Sequence, residues 1–215
     1  MAHSLLQAGE SRSFPTPHTL LEQASDGGEI LLIIGADAGE AYRALSEPER
    51  YRLILIELGC ECLGQHTGES RGNEGSHVLG FARYRLGQAE PTALVEIVRQ
   101  PATPPQAIAA ARALFSEHGL RTAVCGDFPG RIVDRLVRPY YNVALSRLDA
   151  GLASADDLDL TLRLGLGYPE GPIERLERTG LADHCAVSEA LYHALGDAAY
   201  APARRARVAR ARDAG

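Results

Sequence analysis

The chain has 215 residues, 45% of them hydrophobic and 23% charged, with 22 Gly and 12 Pro. That length can bury a real core in one generous domain or two small ones, and the composition excludes collagen, coiled coil and wholesale disorder. The net charge of -6 repels a phosphate backbone, and the 22 basic residues are all Arg, so neither nucleic acid nor any chemistry that needs a lysine is predicted.

Residues 1–26, rich in Ser, Pro and His, read as a mobile tail with one short helix near Leu20 and Leu21. The first ten residues lack a basic segment followed by an apolar run, and no stretch reaches the ~20 apolar residues of a membrane span, so a cytoplasmic protein without a membrane partner is predicted. Glu29 to Ile34 reads as a buried strand ending in the tight turn Gly35-Ala-Asp37-Ala-Gly39, with a helix to about Glu47. Leu53 to Glu57 is a second buried strand, and the pair suggests a βαβ unit. Cys60, Cys62 and His66 offer three soft ligands, but a closed zinc site needs a fourth and C-x-C lacks the usual C-x2-C geometry, so no metal is predicted and the four cysteines are expected as reduced thiols. Gly64 to Ser76 has no apolar residue and reads as a long exposed loop. It contains Gly68-Glu-Ser70-Arg-Gly72, the spacing of a nucleophile elbow without the strand and helix that such an elbow requires.

Val78 to Tyr84, Leu94 to Val98 and Thr122 to Cys125 are further strands, with a helix from Gln106 to His118 that Gly119 ends. From Gly130 the apolar residues recur at helical spacing to Leu148, on a stripe wide enough for a helix sandwiched on two sides and bent at Pro139. Helices follow at 155–163, 172–178 and 182–195, and no strand signal returns. Alternating β and α followed by helices alone predicts an α/β domain and then an all-α domain, meeting near Asp127. The boundaries expected are 27–127, 128–201 and a basic tail, 202–215. In that tail Arg204, Arg205, Arg207, Arg210 and Arg212 read as the solvated face of a frayed helix, with an acidic partner or the phosphates of CoA as the functional alternative.

Two long motifs carry a resemblance. Asp127-Phe-Pro129-Gly130-Arg-Ile-Val-Asp134-Arg135 and Leu164-Gly-Leu-Gly-Tyr168-Pro169-Glu-Gly171-Pro172-Ile-Glu174, followed by Gly180-Leu181, resemble the helical C-terminal domain of the 3-hydroxyacyl-CoA dehydrogenases, whose patterns are D-x-P-G-F-[IV]-V-N-R and L-G-x-G-Y-P-x-G-P-x-E-L. Ala93-Leu-Val-Glu96-Ile-Val, Pro101-Ala-Thr103 and Glu117-His-Gly119 resemble the last part of the family's nucleotide domain. The resemblance covers about Val78 to Ala201. It implies a shortened Rossmann-like sheet followed by the helical domain, similar to the reduced second copy of fused family members standing alone.

It also implies where chemistry would sit. A dehydrogenase of this kind needs a pyrophosphate cradle, a base for the hydroxyl proton and groups that orient a thioester. If the cradle G-x-G-x-x-G falls on the turn after Ile34, its glycines correspond to Gly35, Asp37 and Glu40, which puts two carboxylates on an anion's seat. Asp37 is better read as a helix N-cap. Glu57 stands about where a ribose-binding acid would. The family's base is a His in H-F-F-N-P paired with the Glu of L-V-E. Glu96 matches that Glu, while the His position falls on Tyr84 by one count and on Ala82 by another, and Tyr at its ordinary pKa of ~10 is a poor base. Asp134 replaces the Asn of V-N-R and Arg131 the Phe of P-G-F. Glu96 alternatively reads as a structural strand residue held by Arg83, Arg85 or Arg99. The resulting expectation is a dehydrogenase-like protein degenerate for NAD and catalysis, with no cofactor, acting in assembly or acyl-CoA binding. It would form a homodimer through the helical domain or join a catalytic dehydrogenase chain. The alternative is an active oxidoreductase on short 3-hydroxyacyl-CoA, in fatty-acid or aromatic-acid degradation, that takes NAD at Gly35 and Glu57 and uses Tyr84, Glu96 and Asp134.

Overall fold

The computed structural model describes residues 1–213. They divide into two compact units, one formed by 1–84 with 91–131 and the other by 85–90 with the described residues from 132 onward.

The first unit is built on a six-stranded sheet: β1 (His3–Gln7), β2 (Ile30–Ile34), β3 (Leu53–Glu57), β4 (Val78–Arg83), β5 (Leu94–Arg99) and β6 (Arg121–Gly126). Spatial order follows chain order from β1 to β6, and every neighbouring pair is parallel except β4 with β5. Strands β2 and β3 are buried at every position, as their unbroken aliphatic runs require of a sheet covered on both faces. On one face Ile30, Leu32, Leu53, Leu55, Leu79, Phe81, Val95 and Ile97 pack with Leu114 and Phe115 of α4 (Pro105–Glu117) and with Leu20 of α1 (Thr19–Glu22). The alternate residues Leu31, Ile33, Ile54 and Ile56 are buried as well, and α2 (Ala38–Arg43) lies against β2 and β3.

Three expectations change here. Residues 1–26 are not a mobile tail. His3–Gln7 pairs in parallel with Ile30–Ile34, His3 Nε2 bonds the Leu20 carbonyl at 2.6 Å, and Phe14 is a core residue. The stretch 64–76 is not all loop, because α3 (Gly64–Thr67) forms there, with the Asp127 carboxylate accepting the N–H groups of Leu63 and Gly64, both at 2.7 Å. Asp37 occupies the N-cap position of α2, but its side chain makes no capping hydrogen bond.

The second unit holds α5 (Ile132–Asp149), α6 (Ala155–Leu166), α7 (Pro172–Thr179), α8 (Leu181–Leu195) and α9 (Arg204–Asp213). Asp159 of α6, 6% exposed, accepts the Ile173 and Glu174 N–H groups at 2.9 and 2.8 Å and so caps α7 from another helix. Gly171 in the G-P motif has no side chain because a Cβ there would lie 2.1 Å from the Asp159 carboxyl carbon. The segment 85–90 belongs to this unit: Gln88 N–H donates to the Thr179 carbonyl at 2.8 Å, and Gly87, at φ +54, leaves no room for a Cβ.

Helix α5 is not sandwiched on both flanks. Tyr141, Ala144 and Leu145 are buried, but Leu136 and Val143 are 71% and 53% exposed. The arginine-rich stretch is a formed helix rather than a frayed one. Arg204 and Arg205 both meet Asp149 at 2.9 Å, and Arg210 pairs with Glu189. The last two residues of the expected basic tail lie outside the described residues.

Candidate functional site

In the first unit, the polar groups gather at the carboxyl ends of β1, β2 and β3, the edge where open α/β sheets bind ligands. The turn that leaves β2 is made by Gly35 at φ +112, a conformation that favours glycine, and a Cβ there would lie 2.1 Å from the Ala8 carbonyl oxygen. Glycine is needed for the close approach of the chain's own backbone. Three successive N–H groups follow the turn. Gly35 donates to Glu57 Oε2 at 2.7 Å, and Ala36 and Asp37 donate at 3.0 Å to the carbonyls of Glu10 and Ala8. None of the three is left for a phosphate.

Glu57, at the last position of β3, is 6% exposed. Besides Gly35, its carboxylate accepts the Ser11 hydroxyl at 2.7 Å and the Ser13 N–H at 2.6 Å. Ser13 is held in turn by Arg83, whose backbone N–H and guanidinium donate to the Ser13 hydroxyl and carbonyl. The structure therefore brings Gly35 and Glu57 together as predicted partners of a cofactor, but joins them to each other and to residues 8–13. A ribose would compete with three charge-assisted bonds, each worth about 1.5–3 kcal/mol.

Residues 8–13 are also the true first turn after an opening strand, which sequence reasoning placed after Ile34 because β1 went unseen. The fingerprint counted from Gly9 would need glycines at 11 and 14, and the chain has Ser11 and the core residue Phe14 there. The sheet order adds a second departure. Dinucleotides bind where the order of parallel strands reverses, whereas β1 to β4 run in unbroken succession.

The predicted base pair lies on β4 and β5. Glu96 is 1% exposed, and across the antiparallel ladder it faces Ala82. Tyr84 falls one residue beyond β4, where its carbonyl accepts the Thr92 N–H at 2.9 Å. Strand alternation also corrects two of the expected Glu96 partners. Arg83 faces Val95, and Arg99 lies an odd number of residues from Glu96, so both sit on the opposite face of the pleat. Near the Glu96 face Cys125 is buried, and burial pushes its thiol above the usual range while Arg131 pulls it back. Arg131 is itself 3% exposed and donates to the Glu61 carbonyl. No group of three or more His, Cys, Asp or Glu is placed to hold a metal among the described residues. Ser70 lies in a loop tied by Glu74, without the strand and helix of an elbow.

Asp134 belongs to the helical unit and is not aimed at a free oxygen. It accepts from Arg138 Nε at 2.7 Å, and the fully buried Arg138 reaches His184 Nδ1 at 3.1 Å. His184 Nε2 meets Asn142 Oδ1 at 3.0 Å. An arginine only donates, so Nδ1 is the bare nitrogen and Nε2 carries the proton, which makes His184 neutral. Burial first and the Arg138 charge second depress its pKa to about 3. This chain went unnoticed in the sequence because Arg138, Asn142 and His184 look like interruptions of an apolar stripe, although their helical spacing places Asp134, Arg138 and Asn142 on one face.

A sheet whose strands β1–β4 are parallel and whose β5 and β6 run together in the opposite sense, in a chain whose helical unit carries the two motifs, has the architecture of a dehydrogenase-type fold. Residues 130–215 match the family "3-hydroxyacyl-CoA dehydrogenase, C-terminal domain". Among curated relatives, the 3-hydroxybutyryl-CoA dehydrogenase of Bradyrhizobium diazoefficiens is 32% identical over 109 residues, covering 51% of this chain and 37% of the relative. The human mitochondrial hydroxyacyl-coenzyme A dehydrogenase is 38% identical over 88 residues, covering 41% and 28%. The solved (S)-3-hydroxybutyryl-CoA dehydrogenase from Ralstonia eutropha superposes with a TM-score of 0.70 at 25% identity, over 86% of this chain and 66% of that one. The chain thus spans under two fifths of the length of these curated relatives. Residues 130–215 are thus similar to the C-terminal domain of the 3-hydroxyacyl-CoA dehydrogenases. Among the described residues no helix is long and apolar enough to cross a membrane.

Proposed function

We propose that the protein is a 3-hydroxyacyl-CoA dehydrogenase-like chain without hydride transfer, acting in assembly as a homodimer or in acyl-CoA binding. One observation carries the reading: Ala82 stands opposite Glu96 in the strand register. A methyl group cannot take a hydroxyl proton, so the buried acid lacks the imidazole that the family resemblance pairs with it. The N–H groups of Gly35, Ala36 and Asp37, all spent on the chain itself, argue the same way against NAD as a resident cofactor.

Assembly is supported by the surface of the helical unit. A groove of about 380 Å³ lined by Tyr140, Val143, Leu152, Leu158 and Leu162 lies between α5 and α6, and Leu152, Leu164 and Leu166 are 67%, 79% and 61% exposed. Exposed leucines beside an apolar groove on one helical unit support a second copy of the same chain as the occupant. Sedimentation should give a dimer, and Leu164→Glu should give a monomer with unchanged circular dichroism. The catalytic side is tested by following NADH absorbance with acetoacetyl-CoA. No turnover is expected. Turnover abolished by Glu96→Gln in a normally folded variant would instead establish the active oxidoreductase, a reading favoured by the retention of Glu96 in the strand.

A further inference from the structure

Glu57 is a negative group at the carboxyl ends of parallel strands, where α/β proteins hold the phosphates of their ligands. Its carboxylate receives donors from two separate segments, the Ser11 hydroxyl and Ser13 N–H on one side and the Gly35 N–H on the other, at 2.6–2.7 Å. The Ser11 hydroxyl also accepts from Phe14 N–H at 2.9 Å, so the hydroxyl proton is directed at the carboxylate. The arrangement has the chemistry of an oxyanion seat: backbone N–H groups and one hydroxyl converging on a buried anion.

We propose that Glu57 is an intramolecular occupant of an oxyanion seat, standing where a phosphate group would lie and keeping phosphate out. This rests on the reading of the protein as one without NAD and adds to it the residue that closes the site. Removing the carboxylate exposes the Ser11 hydroxyl and the Ser13 and Gly35 N–H groups to water, and an added oxyanion would meet the same donors. The seat takes one oxyanion, either free phosphate or the phosphate of a dinucleotide.

The test uses the full chain and inorganic phosphate, with thermal melting and calorimetric titration as readouts. Wild-type protein should show neither heat of binding nor a rise in Tm. Glu57→Ala should melt earlier and recover part of the loss as phosphate is added, binding it about tenfold or more tighter than wild type, a difference of about 1.4 kcal/mol or more. NADH in a parallel titration of the same variant separates the two sources, since binding of phosphate without NADH marks a seat for the free ion. Glu57→Gln keeps the side chain in place without its charge, so it should be less stable than wild type and unresponsive to phosphate. A Glu57→Ala protein that melts cooperatively but ignores phosphate overturns the proposal, as does a phosphate response equal to that of wild type. If Glu57→Ala does not fold, recovery by phosphate supports the seat, while Glu57→Gln with wild-type stability overturns it. NADH turnover by wild-type protein would sink the wider reading by itself, whatever Glu57→Ala does.

Discussion

Each unit of the molecule buries one carboxylate against backbone N–H groups beside a glycine that has no room for a Cβ, and the two serve different ends. In the helical unit, Asp159 caps α7 and Gly171 clears the space for it, inside the motif that carries the family resemblance. In the sheet unit, Glu57 gathers the turn after β2 and the segment after β1, and Gly35 clears the space for the backbone of Ala8. Asp159 completes a helix that would otherwise leave its first N–H groups bare. Glu57 satisfies donors that a ligand would otherwise meet. The same device, a buried carboxylate on backbone N–H groups, thus finishes a helix in one unit and joins two loop segments in the other.

The comparison can be broken most severely at Gly35. Gly35→Ala combines a left-handed φ with backbone overlap at Ala8, and its cost should be about 4 kcal/mol, the sum of backbone strain and overpacking. Urea unfolding measures it, and a cost under about 1 kcal/mol would mean that residues 8–13 are not clamped to this turn. Asp159→Ala removes two charge-assisted bonds, one from the buried Ile173 N–H and one from the part-buried Glu174 N–H, and should cost about 3 kcal/mol. Unlike Glu57→Ala, it should gain nothing from added phosphate. A phosphate response there would erase the distinction between a cap and a seat.

The third prediction sharpens the helical side. The folded-state pKa of His184, about 3, lies below the ordinary 6.5, so the unfolded chain binds a proton that the folded chain refuses. Its stabilising contribution is fully present above pH 6.5 and falls by about 1.4 kcal/mol per pH unit as pH drops from 6.5 towards 3. Denaturant melts across that range should show the slope, and His184→Gln should flatten it. The same slope in the variant would place the titration elsewhere.

Much of the fold was legible because buried parallel strands and amphipathic helices advertise themselves. Leu53 to Glu57 was read to the residue, and α4, α6, α7 and α8 to within three residues at either end. Strand β1 was hidden because an edge strand of five residues with only Leu5 and Leu6 apolar looks like any tail. Missing it moved the first turn to the wrong place and concealed the unbroken strand order. Counting left Ala82 and Tyr84 open because positions two apart share a face of the pleat, and the pairing of Ala82 with Glu96 is visible only in the register. The partners of Glu57 come from positions 22, 44 and 46 residues away, a distance no local pattern spans. The arginines of α9 read as solvated because their acids, Asp149 and Glu189, lie on other helices.

The central claim is that the turn after β2 and the Glu57 carboxylate are bonded to the chain itself and not to a dinucleotide. Titrating NADH into the native protein and following nicotinamide fluorescence tests it directly. The account predicts a signal equal to that of NADH in buffer at every protein concentration. A saturable change, displaced by NAD, would contradict it.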